Sequence, residues 1–84
     1  MNIKNITSLY RRKLHGIKIM QYAYDISPET SEDKLSHIVS MLNHIDEFTD
    51  DDQTDKAFRW LGFVQGVLWT EGIYTLNEMK DHNV

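Results

Sequence analysis

The sequence predicts an all-α fold, a compact bundle of three long helices followed by a short C-terminal helix. Apolar residues recur at spacings of three and four in three long segments, and no segment alternates apolar and polar residues as a strand does. Turn and capping signals separate these segments. A chain of 84 residues makes one domain. We therefore expect residues 1–84 to form a single helical domain with helices at about 5–24, 28–48, 54–71 and 75–82.

The first predicted helix, 5–24, has one apolar stripe, with basic residues largely off it. The stripe consists of Ile3, Ile6, Tyr10, Leu14, Ile17, Met20 and Tyr24. Gly16 interrupts the helix at a cost of about 1 kcal/mol relative to alanine. This cost indicates either a bend at Gly16 or the close approach of another backbone.

The second predicted helix has two candidate start points. Ser27 before Pro28 is typical of an N-cap followed by proline at the first helical position, and Thr30 with Asp33 offers a start one turn later. Its apolar residues follow the helical period: Leu35, Ile38, Val39, Leu42 and Ile45. The acidic segment TDDDQTD, residues 49–55, then separates it from the third helix.

The third predicted helix is apolar most of the way round, which is typical of a central, buried helix. Gly62 and Gly66 leave a strip without bulky side chains, at a cost of about 2 kcal/mol in helix propensity. Either another helix of the chain crosses closely there, or the strip forms a subunit interface or ligand floor, flanked in part by Gln65. The candidate helix-packing or oligomer face comprises Arg59, Gly62, Gly66 and Trp69. A domain this small is expected to self-associate, first of all as a dimer.

Glycine and threonine signals then place the fourth helix. Gly72 fits the left-handed position that ends the third helix, with Ile73 as the apolar residue that closes such a cap. Thr75 and Glu78 form a capping box that starts the short last helix.

The net charge of −4 conceals an asymmetry. Residues 1–24 carry five basic residues and no acidic one, whereas residues 25–84 carry four basic residues and all 13 acidic ones. Either the basic helix packs on the acidic remainder, or it offers a basic face to an anionic partner. The candidate partner- or anion-binding residues are Tyr10, Arg11, Arg12, Lys13 and Lys18 on the basic side and Asp50, Asp51 and Asp52 on the acidic side.

Catalytic and metal-binding patterns fail in this sequence. It has no cysteine, no nucleophile elbow and no phosphate-binding glycine loop. A calcium loop begun at Asp50 lacks the glycine and glutamate required at its sixth and twelfth positions. His37 and His44 would lie about 10 Å apart along a helix, too far for one zinc ion. We therefore expect no enzyme activity, metal or cofactor.

Two broader classes are also disfavoured. The sequence pI of 5.4 argues against a dedicated nucleic-acid binder, although the basic first helix could contact phosphates. No window approaches the roughly 18 apolar residues of a membrane span, so no membrane partner is expected.

The segment FRWLGFVQGVLWTEGIYTLNEMKDHN, residues 58–83, carries a resemblance to known proteins. It is similar to the C-terminal part of small accessory proteins of tailed bacteriophages. Those show an R-W-L-G-F-x-Q-G-x-L-W block and then a G-x-Y-T-x-x-E-(M/L)-x-x-H-N block. The likeness covers about a third of the chain, and residues 1–57 resemble no family. It implies a phage-encoded protein in the cytoplasm of an infected bacterium, and it implies no catalytic residues.

The leading functional hypothesis is a non-catalytic phage protein that binds and inhibits or redirects a host protein, such as a bacterial defence factor. An alternative is an oligomeric helical binder that sequesters an anionic nucleotide signal. Its pocket would lie at a subunit interface and comprise Tyr10, Arg11, Arg12 and Arg59. A second alternative is nucleic-acid binding through the basic first helix.

Overall fold

The computed structural model describes residues 2–17 and 27–83. These residues form four α-helices and no strand, so the all-α prediction is confirmed. The helices are Ile3–Lys13 (α1), Ser31–Asp50 (α2), Thr54–Thr70 (α3) and Leu76–His82 (α4). None of the described helices has the length and hydropathy that a bilayer span requires.

The first helix ends earlier than its apolar stripe predicts. The Asn2 side chain accepts a hydrogen bond from the Asn5 amide at its start, and α1 stops at Lys13. Gly16 then adopts a φ of +94°, a left-handed conformation that a continuous helix does not contain. The predicted helix over 5–24 is therefore wrong in running through Gly16, and its part at 18–24 lies outside the described residues.

The second helix uses the later of its two candidate start points. The Thr30 hydroxyl accepts from the Asp33 amide at 3.0 Å, so α2 begins at Ser31 and the predicted start at Pro28 is wrong. Glu32 and Asp33 in its first turn complement the helix dipole. Beyond Asp50, the chain reverses through Asp52, whose φ is 60°.

Both predicted signals around the fourth helix are confirmed. Gly72 has a φ of +73°, and the Ile73 amide donates to the Leu68 carbonyl at 2.9 Å, which closes the end of α3. Thr75 and Glu78 form the reciprocal capping box at the start of α4.

All four helices contribute to one core, and α2 contacts both α1 and α3. The face of α3 that enters this core consists of Ala57, Leu61, Val64 and Leu68, each at most 2% exposed. We call these four residues the α3 inner face. Because small and branched aliphatic side chains fill this face, α2 packs closely against it.

Candidate functional site

The basic residues of α1 are partly engaged with the acidic residues of α2. Arg11 donates to Asp46 at 2.5 Å and to Asn43 at 3.0 Å, while the Thr7 hydroxyl donates to the other Asp46 oxygen at 2.7 Å. Lys4 forms an ion pair with Asp50. Lys4 and Arg11 therefore pair with acidic residues of the same chain, as the first of the two interpretations of the charge asymmetry expects.

The other predicted basic residues are placed differently. Arg12 and Lys13 are exposed at the end of α1, and the Lys13 ammonium lies 5.6 Å above the ring of Tyr74. Lys18 lies outside the described residues. Of the predicted basic cluster, only Arg12 and Lys13 are described with exposed side chains.

Tyr10 is an interior residue. It is 0% exposed, because it lies one turn from Ile6 and one turn from Leu14 on the buried stripe of α1. Its prediction as a partner- or anion-binding residue is therefore wrong in this chain. Burial raises the pKa of the Tyr10 hydroxyl, and the hydrogen bond from Gln65 opposes that rise.

The Tyr10 hydroxyl is the centre of a polar network between α1, α3 and α4. Gln65 Nε2 donates to it at 3.0 Å, and His82 Nδ1 lies 3.0 Å from it. Because the hydroxyl has one proton, it donates to His82 when neutral imidazole presents Nδ1 as an acceptor. Gln65 also donates to Asn83 at 2.7 Å. These hydrogen bonds hold α4 and the following Asn83 against α1 and α3.

Ring contacts reinforce the same attachment. The Tyr74 ring centroid lies 5.5 Å from that of Tyr10 and 4.6 Å from that of His82. Several residues of the segment 58–83 therefore have structural roles: Gln65, Tyr74, Thr75, Glu78, Met79, His82 and Asn83.

The acidic segment forms a turn. Asp50 ends α2 and pairs with Lys4, whereas Asp51 and Asp52 are exposed in the turn before α3. Within residues 2–17 and 27–83, no three histidine or acidic side chains group as metal ligands would.

The face of α3 that points away from the core carries large apolar side chains and two glycines. Phe58 is 40% exposed, Phe63 61% and Trp69 52%. We call this surface the α3 outer face; it comprises Phe58, Arg59, Gly62, Phe63, Gly66 and Trp69. Exposed apolar groups that adjoin one another are typical of an interaction surface.

Among the described residues, no other helix contacts the two glycines of the α3 outer face. A Cβ atom added at Gly62 or Gly66 would meet nothing within 4 Å. The predicted close crossing with helix one or two does not occur over the described residues, and segment 18–24 of the predicted first helix lies outside them. The glycines lie in a shallow groove of about 480 Å³ between Phe63 and Trp69.

An ion pair borders this groove at its C-terminal end. Lys34 Nζ lies 3.2 Å from Glu71, and the Ser31 hydroxyl donates to the same carboxylate at 2.7 Å. These hydrogen bonds, that from Ser31 above all, lower the pKa of Glu71. The groove therefore ends beside a charged pair that also ties α3 to α2.

A second depression, of about 500 Å³, lies where α3 turns into α4. Its apolar lining includes Trp69, Ile73 and Leu76, of which Leu76 is 60% exposed. We call these three residues, with Asn77 and Glu78, the α3–α4 corner. Trp69 lies at the boundary between the corner and the α3 outer face.

The sequence analysis missed Phe58, Phe63 and Leu76 as surface residues. The third helix was expected to be central and buried because it is apolar most of the way round, and this pattern does not distinguish the two phenylalanines from core residues. The useful signal was the separation of an aliphatic face from exposed rings. The aliphatic residues Leu61, Val64 and Leu68 are buried, whereas Phe58, Phe63 and Trp69 are exposed. Trp60 packs partly against the core.

The nucleotide pocket predicted as an alternative is not assembled within the chain. Tyr10 is buried and Arg11 is bound to Asp46, while Arg59 lies on the α3 outer face. Two of its four residues are thus engaged inside the fold.

Comparisons with known proteins identify no relative. No protein-family model matches the chain, and neither a curated protein nor a solved structure matches it. The phage resemblance of residues 58–83 therefore stays a prediction, and the function is argued from geometry.

Proposed function

We propose that the protein is a non-catalytic accessory protein of a tailed bacteriophage that binds a host protein in the cytoplasm of the infected cell. Binding inhibits or redirects the host protein, for which a bacterial defence factor is the candidate. The contact surface is the α3–α4 corner.

The exposure of Trp69 and Leu76 at this corner is the observation that carries the proposal. Both side chains are more than half exposed, although each is large enough to contribute strongly to a core. Tryptophan is enriched among the residues that dominate binding energy at protein interfaces. An apolar depression lined by tryptophan and leucine therefore favours protein binding.

Polar groups surround the apolar centre of the corner, as in protein interfaces generally. Asn77 and Glu78 line the same depression. Hydrogen bonds from the Thr75 backbone amide and hydroxyl lower the pKa of Glu78, so its carboxylate stays charged at neutral pH. A charged rim of this kind contributes orientation and specificity.

The basic cluster supports partner contact less well than the corner does. Arg11 and Lys4 already neutralise acidic residues of α2, and moving them to a partner would leave Asp46 and Asp50 without their cations. This internal engagement shifts the proposed contact away from α1.

Affinity purification from infected cells tests the proposal with matched variants. Tagged wild-type protein should recover a host protein, and Leu76→Ser should lose most of it because the apolar centre of the corner is removed. Lys80→Ser is the control, since Lys80 is exposed on the same helix and does not line the depression. Both variants should keep the wild-type circular dichroism spectrum.

Two results would contradict the proposal in different ways. Recovery of no host protein above background across several hosts would remove the host-binding function. Equal recovery by wild type, Leu76→Ser and Lys80→Ser would keep the function and exclude the corner as its surface. A thermal shift with an anionic nucleotide would favour the nucleotide-binding alternative instead.

A further inference from the structure

The α3 outer face is an apolar surface that residues 2–17 and 27–83 leave uncovered. Phe63 is 61% exposed beside Gly62 and Gly66, and the space above both glycines is open. The two glycines cost about 2 kcal/mol of helix propensity relative to alanine. Nothing within the described residues offsets this cost, because no neighbouring helix uses the space that the glycines leave.

We infer that the α3 outer face of a second copy of this chain covers it, with the two α3 helices antiparallel and crossing at Gly62 and Gly66. Absent side chains at two positions one turn apart allow two helix backbones to approach closely. Phe63 of each copy then packs beside the glycine strip of the other copy. A two-fold axis through position 64 relates the two copies, as in most homodimers.

The positions of the charges select a second copy and its orientation. With a rise of about 1.5 Å per residue, Arg59 lies about 7 Å before the crossing point and Glu71 about 10 Å after it. An antiparallel crossing therefore brings Arg59 of one copy toward the half-exposed Trp69 of the other, beside the Lys34–Glu71 ion pair. Arginine is attracted both to a tryptophan face and to a carboxylate.

A second pair of opposite charges follows from the same symmetry. Asp55 lies about 13 Å before the crossing point, which places it toward the Lys34–Glu71 end of the other copy's groove. Asp55 then faces Lys34. A parallel crossing would instead oppose Arg59 to Arg59 and Asp55 to Asp55. Complementary charges at both ends thus favour the antiparallel dimer.

The dimer goes beyond the proposed host binding and leaves Leu76, Asn77 and Glu78 of the corner accessible, whereas Trp69 is shared with the dimer contact. Leu76 follows the end of α3 and lies outside the crossing region. The antiparallel arrangement places the two α3–α4 corners at opposite ends of the dimer. Two host-binding surfaces on one particle would add avidity against a target that is itself oligomeric.

Sedimentation equilibrium over a range of protein concentrations tests the dimer. Wild type should show a monomer–dimer equilibrium, and Arg59→Glu should weaken it about tenfold or more, because two-fold symmetry applies the change twice. Lys80→Glu is the control with the same change of charge, since Lys80 lies off the α3 outer face. Phe63→Ser should also dissociate the dimer and should keep the helical circular dichroism spectrum.

A mixing experiment tests the antiparallel orientation. Asp55→Lys and Lys34→Glu should each weaken self-association, since each places like charges opposite one another. An equal mixture of the two variants should restore a dimer, because positions 55 and 34 then carry opposite charges at both contacts between the chains. Lys34→Glu also removes the ion pair with Glu71 of its own chain, so its urea midpoint is measured as well. Leu76→Ser should dimerise as wild type does, which separates this inference from host binding.

Three results would overturn the inference. Wild type that stays monomeric up to near-millimolar concentration excludes the dimer. A dimer that is unchanged by both Arg59→Glu and Phe63→Ser uses another face. A dimer that the two charge variants weaken separately, and that their mixture does not restore, excludes the antiparallel crossing.

Discussion

The inner and outer faces of α3 differ in their use of apolar residues. The inner face carries alanine, valine and leucine and is at most 2% exposed, whereas Phe58, Phe63 and Trp69 on the outer face are 40% to 61% exposed. Aliphatic side chains of moderate size pack densely against α2. Large rings flank glycines on the opposite side. Apolar content therefore does not by itself identify the core side of this helix; the shapes of the side chains do.

Truncating one large residue on each face tests the difference between the two faces, and we expect the largest change in stability here. Leu68→Ala should lower the free energy of unfolding by about 2–5 kcal/mol, because it opens a cavity at a fully buried position. Phe63→Ala should change it by no more than about 0.5 kcal/mol in dilute, monomeric protein. Urea denaturation measures both. Equal losses would mean that the folded monomer buries Phe63.

The next largest change in the free energy of unfolding should come from removing the Tyr10 hydroxyl, the centre of the polar network between α1, α3 and α4. Tyr10→Phe removes one hydroxyl and leaves both Gln65 and His82 without that partner, at a cost of about 1–3 kcal/mol. Tyr74→Phe is the matched control, since Tyr74 contacts this network through its ring. Urea midpoints should separate the two variants, and an equally stable Tyr10→Phe would show that the network contributes nothing.

Alanine substitutions at two glycines distinguish an open helical position from a position that requires a positive φ. Gly66→Ala should stabilise the dilute monomer by about 1 kcal/mol, because the added methyl group meets open space in a helical conformation. Gly72→Ala should instead destabilise it by about 1 kcal/mol, since Gly72 has a φ of +73°. Urea midpoints of the two variants measure both effects. Destabilisation by Gly66→Ala would indicate a close backbone contact inside the chain.

The smallest expected change in stability comes from the charge of Glu71, which lies at the edge of the α3 outer face. Its pKa is lowered from 4.5 by the hydrogen bonds from Ser31 and Lys34, so ionised Glu71 favours the folded state. This contribution is fully present above pH 4.5 and disappears as the pH falls through the lowered folded-state pKa. The difference in urea midpoint between wild type and Glu71→Gln should therefore shrink on acidification. A constant difference would contradict the role of the charge.

Much of the fold could be predicted because its signals are local. The Gly72 cap and the Thr75–Glu78 box each depend on residues within one turn, and both occur as predicted. The end of α1 was missed because apolar periodicity continues past Gly16, and periodicity does not report a positive φ. The helix ends at Lys13, and the left-handed Gly16 three residues later prevents its continuation along the same axis.

The candidate site was less predictable because it depends on contacts distant in sequence. Arg11 and Asp46 are 35 positions apart, and Tyr10 and His82 are 72 apart. Neither pairing can be read from spacing along one helix. Apolar periodicity alone likewise defines two apolar faces on α3, and only the shapes of their side chains indicate which face packs against α2.

The same Tyr10–His82 bond has a consequence for the order of folding. The turn between α2 and α3 is short, so these helices can meet at a small cost in loop entropy. Joining α1 to α4 closes a loop of 72 residues and should come late. Trp60, whose ring centroid lies 4.9 Å from that of Phe48, reports the early pairing. With Trp69 replaced by phenylalanine, so that Trp60 is the one tryptophan left, we expect stopped-flow refolding to show its fluorescence changing before hydrogen exchange slows in α4. The ends of the described chain should be the last parts to become protected.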